Sequence, residues 1–327
     1  MSLNHLNTFL NRVMPLITPA SVVIGVLLAD FFDSYTFLVV WLFAFMTFSG
    51  SLSSNFTSLK HVLAHPSNII VALLILHVIM PLWAWSVGHI AFPGDVFTIT
   101  GLVLAVVIPT GVTSFLWVTI YKGNFALALS IILIDTFLSP FIVPASMAFI
   151  LGESIEMDVL SMMKGLFGMV VIPSLLGMIC NQITKGKINE KLGAPLAPFS
   201  KIALGIVVMI NSSTIAPYLK NIDAKLVFTA LIVFLVAATG YILAWLIGKL
   251  LKWERDEIIS LVFTGGMRNI SSGAVIAVAY FPPAVAVPVV IGILFQQVLA
   301  SLFGYLLEKS FSSSKNTMAT AKKRDAV

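Results

Sequence analysis

Apolar residues in this chain come in long uninterrupted runs, each about 20 residues, the length that carries a helix across the hydrocarbon of a bilayer. A backbone in lipid has no water to bond to, so such a run must satisfy its own N–H and C=O groups by coiling into a helix. Ten spans are expected, near residues 13–30, 35–52, 68–90, 97–121, 124–150, 158–181, 198–218, 225–250, 256–280 and 284–307. Charge is correspondingly scarce. Only 10% of the 327 residues are charged, against roughly 25% in soluble domains. The length therefore implies a polytopic membrane protein and not two soluble domains. The first apolar run follows Arg12 without a small-residue cleavage site, so it reads as a first span and not as a signal peptide.

Loop charges test this count. Arg12, Lys60, Lys122, Lys185, Lys187, Lys191, Lys201, Lys249, Lys252 and Arg255 fall on one set of loops and the N-terminus, joined by Lys309, Lys315, Lys322, Lys323 and Arg324 in the tail. The alternate loops hold only Lys220 and Lys225, with Asp30, Asp33, Asp95, Glu153, Glu156 and Asp158. Basic loops stay on the cytoplasmic side, so both termini are expected there, in a bacterial inner membrane. The same bias accounts for the net charge of +5, and no nucleic-acid partner is expected.

Ten spans divide into two fives, and an odd-numbered repeat must insert its second copy upside down. Residues 1–155 are expected as the first repeat, 156–309 as the inverted second, and 310–327, rich in Ser, Lys, Thr and Ala, as a disordered cytoplasmic tail. Corresponding spans of the two halves are both interrupted. Span four contains Ile108-Pro109-Thr110-Gly111-Val112-Thr113-Ser114-Phe115, and span nine contains Phe263-Thr264-Gly265-Gly266-Met267-Arg268-Asn269-Ile270. Matched Gly/Pro breaks point to a transport site. Small residues also let helices pack closely, a blander explanation that fits either break alone better than both together. Pro81, Pro140, Pro144 and Pro173 each free a backbone carbonyl and are expected to bend their helices.

Other classes find little support. The single cysteine, Cys180, excludes a disulfide framework, and no His/Cys cluster suggests zinc. The spans carry no paired carboxylates and no Ser/His/Asp set, so an enzyme is not expected. No phosphate-binding loop suggests ATP coupling.

Several stretches resemble the bile acid:sodium symporters. They are Pro66 with the preceding His65, Ile79-Met80-Pro81-Leu82-Trp83-Ala84-Trp85, Lys122-Gly123-Asn124, Ser139-Pro140, and Gly266-Met267 with Asn269, in order over roughly residues 10–310. Part of span four, Pro109-Thr110-Gly111 with Ser114-Phe115, is also similar to the related auxin efflux carriers. The resemblance implies an all-α fold in which spans one, two, six and seven form a panel domain. Spans three to five and eight to ten form a core, with spans four and nine broken and crossing. It implies alternating access by movement of panel against core, for a small organic anion.

The departures from that pattern concern sodium. Where sodium-coupled members have Thr-x-Ser-Asn in span four, this chain keeps Ser114 but has Phe115 in place of the asparagine. Where they often have Ser and Thr ligands in span five, it has Ala128 and Ile132. Where span nine typically reads Glu-x-Gly-x-Gln-Asn, it has Thr264 for the glutamate and Arg268 for the glutamine. A hard cation needs several oxygen ligands. Two unit positive charges about 4 Å apart repel by roughly 4 kcal/mol at an effective dielectric of 20. Sodium is therefore not expected at the usual family sites, and no cofactor is expected.

Three ionisable residues fall at mid-span: His77, Asp135 and Arg268. An arginine at that depth costs about 2.5–3.5 kcal/mol or more and marks a functional site by default. Three roles stay open. Arg268 substitutes for sodium as a brace with Asp135 as its counter-charge, or Arg268 binds an anionic substrate, or a proton couples through His77 or Asp135. The remaining candidates are Thr264, Gly265, Gly266, Asn269, Thr113 and Ser114 around the breaks, with Gln296 and Gln297 in span ten. A polar cluster, Asn211 to Thr214, marks span seven on the panel side. The leading expectation is a monomeric secondary transporter. The alternatives are a sodium-coupled symporter with altered ligands and a membrane receptor that does not transport.

Overall fold

The computed structural model describes residues 3–54, 66–152, 157–219 and 222–324. Lys60, His65, Glu153, Glu156 and Lys220 lie outside them. The described chain is nearly all helix. We number the principal helices α1 (Leu3–Leu27), α2 (Leu38–Ser51), α3 (Pro66–Ala91), α4 (Val96–Val107), α5 (Ser114–Ile120), α6 (Phe125–Leu151), α7 (Val159–Ile183), α8 (Asn189–Thr214), α9 (Ala224–Leu250), α10 (Arg255–Gly266), α11 (Ile270–Tyr280) and α12 (Pro283–Arg324).

Six of these helices are long and apolar enough to cross a membrane: α3, α6, α7, α8, α9 and the Pro283–Phe311 part of α12. After Leu27 the chain bends by 91° into Ala29–Tyr35. The fourth and ninth apolar stretches each form two short helices, α4 with α5 and α10 with α11. Large apolar side chains remain exposed along the helices, among them Trp41, Ile90, Phe149 and Leu250, as a lipid-facing surface requires.

Helix starts are fixed by short polar side chains. Asp95 accepts from the Thr98 N–H, Asn124 from Leu127, Asp158 from Ser161 and Asp223 from Leu226. Glu254 and Glu257 form a reciprocal capping box at α10. A cap occupies N–H groups that have no partner inside the helix. Asp95 and Asp158, first read as loop charge, thus have a defined structural role.

The prolines act in two ways. Three π turns, Ile75–Ile79, Phe167–Val171 and Asn189–Gly193, each end two residues before a proline, at Pro81, Pro173 and Pro195. A proline cannot donate to the carbonyl four residues back and its ring pushes on it. Widening the turn relieves both problems. For Pro81 that carbonyl belongs to His77. Pro140 and Pro144, by contrast, lie within the continuous helix α6. At the other end of the chain, α12 continues to Arg324, through the stretch expected to be disordered. Adding residues to an existing helix avoids the nucleation cost, and the Lys, Ala and Met found there are good helix formers.

Packing falls into two neighbourhoods. Helix α1 lies on α8, and α2 on α7 and α8. A Cβ on Gly25 of α1 would stand 2.2 Å from the Met209 carbonyl oxygen, so only glycine lets these backbones meet. In the second neighbourhood α4 packs on α3 and α12, and α10 on α9. Here Gly101 plays the same part, with its position 2.4 Å from the Val285 carbonyl oxygen.

Asp95 also ties α4 to α9, accepting from Lys225 Nζ at 2.8 Å. Burial alone would raise the Asp95 carboxyl, but hydrogen bonds from Lys225 and Thr98 outweigh it and hold the group below the usual carboxylate range. A depressed folded value means the stabilisation is fully present above the unfolded value of about 3.9 and is lost as pH falls through the folded value. Asp95→Asn keeps a capping oxygen and loses the charge. It is expected to lower thermal stability at neutral pH by no more than about 1 kcal/mol, because Lys225 is largely exposed. Melting curves of the variant and the parent protein should converge below the Asp95 transition.

Candidate functional site

The two interrupted stretches meet. The chain leaves α4 after Val107 and α10 after Gly266, and the two excursions run antiparallel through one bridge between Thr110 and Arg268. The Gly111 N–H donates to the Met267 carbonyl (3.2 Å), and the Asn269 N–H to that of Pro109 (2.8 Å). Pro109 itself has no N–H to offer. Glycine is required where the strands touch: a Cβ on Gly111 would come 2.8 Å from the Arg268 carbonyl oxygen. Gly266 is required for a second reason, since its Cβ position lies 2.4 Å from the ring of the fully buried Tyr241 on α9.

Arg268 closes this junction. It is 4% exposed. Its Nε donates to the Val106 carbonyl (2.7 Å), and its Nη1 to the Gly265 carbonyl (2.8 Å). Val106 is in the last turn of α4 and Gly265 in the last turn of α10. One guanidinium thus caps the C-terminal ends of both half-helices, where carbonyls lack helical partners and the dipoles are negative. The Arg268 N–H donates to Gln296 Oε1 on α12 (3.1 Å). Thr110 adds a second brace, its hydroxyl donating to the Thr264 carbonyl (2.7 Å) and lying 3.1 Å from that of Met267.

Asp135 stands near Arg268 but forms no direct ion pair with it. Among the described residues the ion pairs are Asp135 with His77 and Asp95 with Lys225. Asp135 is fully buried. Its Oδ1 stands 2.5 Å from His77 Nε2, and its Oδ2 accepts from the Thr110 N–H at 2.6 Å. Helix spacing correctly puts Asp135 on the α6 face toward the crossover. It does not reveal that Thr110 stands between the carboxylate and the guanidinium, or that His77 reaches it from the widened turn of α3.

The other candidates divide. Thr264, Gly265 and Gly266 form the end of α10, and Asn269 caps α11 by accepting from the Ser272 N–H. Ser114 opens α5 with a buried hydroxyl that finds no partner among the described residues. Thr113 is exposed. Gln297 is exposed and accepts from Trp117 Nε1, away from Arg268's contacts. Ser213 and Thr214 back-bond to Ile210, whereas the side chains of Asn211 and Ser212 are buried without partners among the described residues. Helix α8, which carries them, packs against α11. Lys164 is exposed on α7. Thr110 and Tyr241 are functional neighbours that sequence reasoning did not single out. A hydroxyl directly after Pro109 was the available signal for the first; none marked the second.

Beside Arg268 lies a cavity lined by Met80, Val106, Gly240, Tyr241 and Gln296. Its wall is mostly apolar, with Arg268 as the charged group on it. Ala128 and Ile132 are buried on α6, and the Phe115 ring lies 6.0 Å from that of Phe125.

Arg268→Ala strips two helix-end carbonyls of their donors in a water-poor site and leaves Asp135 without the nearby positive charge. We expect a loss of about 3–5 kcal/mol, read as a lower melting temperature of the purified protein. Arg268→Gln keeps an NH2 donor and should lose less. Equal stability of Arg268→Ala and the parent would remove the brace.

Comparison with known proteins places this architecture. The profile described as the Sodium Bile acid symporter family matches residues 40–222. The chain is 59% identical over 296 residues to the uncharacterized protein YbaS of Bacillus subtilis (strain 168), covering 90% of this chain and 97% of that one. It is 26% identical to the uncharacterized sodium-dependent transporter YocS of the same organism, over 78% of this chain and 80% of YocS. It is 24% identical to the probable sodium/metabolite cotransporter BASS1, chloroplastic, of Oryza sativa subsp. japonica, over 79% of this chain and 63% of BASS1. A multi-pass membrane protein, the chain belongs to the sodium bile acid symporter family.

Proposed function

We propose that this protein is a secondary transporter of small organic anions in which the Arg268 guanidinium stands where sodium-coupled carriers hold an ion. The observation that carries the reading is the capping of both half-helices by one side chain, through Val106 and Gly265. Broken-helix transporters use such C-terminal ends and unwound carbonyls to coordinate cations. A tethered cation at that place meets the same carbonyls.

The ten-span, inverted-repeat architecture belongs to this proposal. It is supported by α4/α5 and α10/α11 both being broken pairs, and by the antiparallel contact of their breaks. A twofold axis in the membrane plane would relate equivalent segments in that way. Panel and core correspond to the two packing neighbourhoods, α1, α2, α7 and α8 against the rest. The loop-charge bias supports cytoplasmic termini. Anion recognition rests on Arg268 bordering a cavity with donors to spare: Nη2 has no hydrogen-bond partner among the described residues, and arginine matches carboxylate and sulfate geometry. The unpartnered Asn211 and Ser212 lie on α8, the helix that packs on α11, and supply further polar groups on the panel side.

A second reading is favoured by the relatives' names: YocS is called sodium-dependent and BASS1 a sodium/metabolite cotransporter. Proteoliposome uptake distinguishes the two, with acetate, pyruvate, cholate and a sterol sulfate offered under independent sodium and pH gradients. The proposal expects uptake of at least one anion without sodium, and none of its uncharged ester. Accumulation that follows only the sodium gradient would overturn it. Among stable variants, Arg268→Lys should transport the anion with raised KM, because the bidentate fork is lost.

A further inference from the structure

We propose that His77 and Asp135 form a proton-binding site that couples proton movement to the anion; this rests on the transporter reading above. Two titratable side chains meet here inside the protein. The His77 side chain is 6% exposed and that of Asp135 0%. The pair is also incompletely satisfied. Asp135 uses Oδ1 toward His77 Nε2 and Oδ2 toward the Thr110 N–H, while His77 Nδ1 is buried with no partner among the described residues. An unmatched ring nitrogen is a place where a proton can be added without breaking any bond.

The surroundings make that proton count. On the elements packed against the pair, α4 and α5 carry no titratable side chain, and Asp135 is the one on α6. Helix α3 adds the exposed His89, bonded to the Trp85 carbonyl. Helix α9 brings Tyr241, buried beside Gly266, with Lys225 and Lys249 near its ends. Helix α10 brings Arg255, Asp256 and Glu257 in its first turn, Glu257 holding Asn68. Helix α7 brings Asp158 at its cap, the exposed Lys164 and Cys180. The charge near mid-span is Arg268, one residue pair away through Thr110.

With His77 neutral, Asp135 and Arg268 cancel. A proton from one side of the membrane adds to Nδ1 and gives an imidazolium, and no other bond forms or breaks. The junction then carries one net positive charge. A monovalent anion at Arg268 restores neutrality, and both leave on the other side, the proton from Nδ1 and the anion from the guanidinium. A net charge inside the bilayer is costly, so the loaded and empty forms are the two that move. The link to the crossover is Thr110, whose N–H binds Asp135, whose hydroxyl binds the end of α10, and whose backbone bridges Arg268.

Two measurements test this on the full chain in lipid. In 15N-histidine spectra recorded over a series of decreasing pH, the His77 resonance, assigned by its loss in His77→Gln, should show Nδ1 gaining a proton. The Thr110 amide should follow the same transition, and should cease to follow it in Asp135→Asn. That variant keeps an acceptor for Thr110 and removes the carboxylate. A His77 that holds one protonation state across the series overturns the site. In proteoliposomes, an inward proton gradient should concentrate a monocarboxylate of the panel in the parent protein. In His77→Gln this accumulation should be lost. Uptake that only equilibrates under the proton gradient overturns the coupling and leaves the transporter reading standing. Absence of any uptake under any gradient overturns the transporter reading, and this one with it.

Discussion

Everything at the centre of this molecule depends on satisfying helix ends where there is no water. A helix that stops inside a bilayer exposes carbonyls whose desolvation costs several kcal/mol each. This chain stops two helices at the same place and points both ends at one guanidinium. Arginine suits the task because its donors are spread over a rigid plane and it stays charged. A lysine offers a single point and could not span Val106 and Gly265 in the same way. The burial of Arg268, costly in isolation, is offset by two half-helix dipoles and by the nearby carboxylate of Asp135.

The surrounding residues make sense as conditions for that arrangement. Gly111 lets the two excursions touch, and Gly266 admits the ring of Tyr241. Pro109 withholds a donor where none is needed. Thr110 fills three roles at once, with its amide on Asp135 and its hydroxyl between the Thr264 and Met267 carbonyls. Farther out, the stack of Trp117, Tyr121 and Phe263 seats α5 on α10. The capping aspartates set where α4, α7 and α9 begin, and so how far their far ends reach into the membrane.

Much of this was legible in the chain itself, for physical reasons. Apolar runs of bilayer length have one local solution, so the helices and the two interruptions follow from composition and from Gly and Pro. The depth of Arg268 follows from counting along the run. The partners do not follow, because a helix period gives a face and not a neighbour. Asp135 faces the crossover as its spacing implies, yet its bonds go to Thr110 and His77. His77 reaches it from a widened turn created by Pro81, four residues on; the proline was visible, the widening was not. The cavity wall is less legible still, since Met80, Val106, Tyr241 and Gln296 come from four separate helices. The tail shows the opposite limit. Its composition lacks any apolar period, but α12 was already nucleated and carries helix onward to Arg324.

A tethered cation has a consequence that a bound one does not. Sodium at a crossover can leave, and its departure on the low-concentration side is what draws a second solute uphill. Arg268 cannot leave, so on the proposed reading it can brace the crossover and meet an anion but cannot transmit an ion gradient. Any coupling must then pass through a group that gains and loses charge within the cycle. The pair formed by His77 and Asp135 meets that requirement in place as well as in chemistry. It shares Thr110 with the guanidinium, so a change of one charge on the imidazole is felt by Asp135 and passed through a single residue to the junction. On that reading the fixed guanidinium and the buried titratable pair are two sides of one electrostatic constraint: a core that must be near neutral whenever it moves.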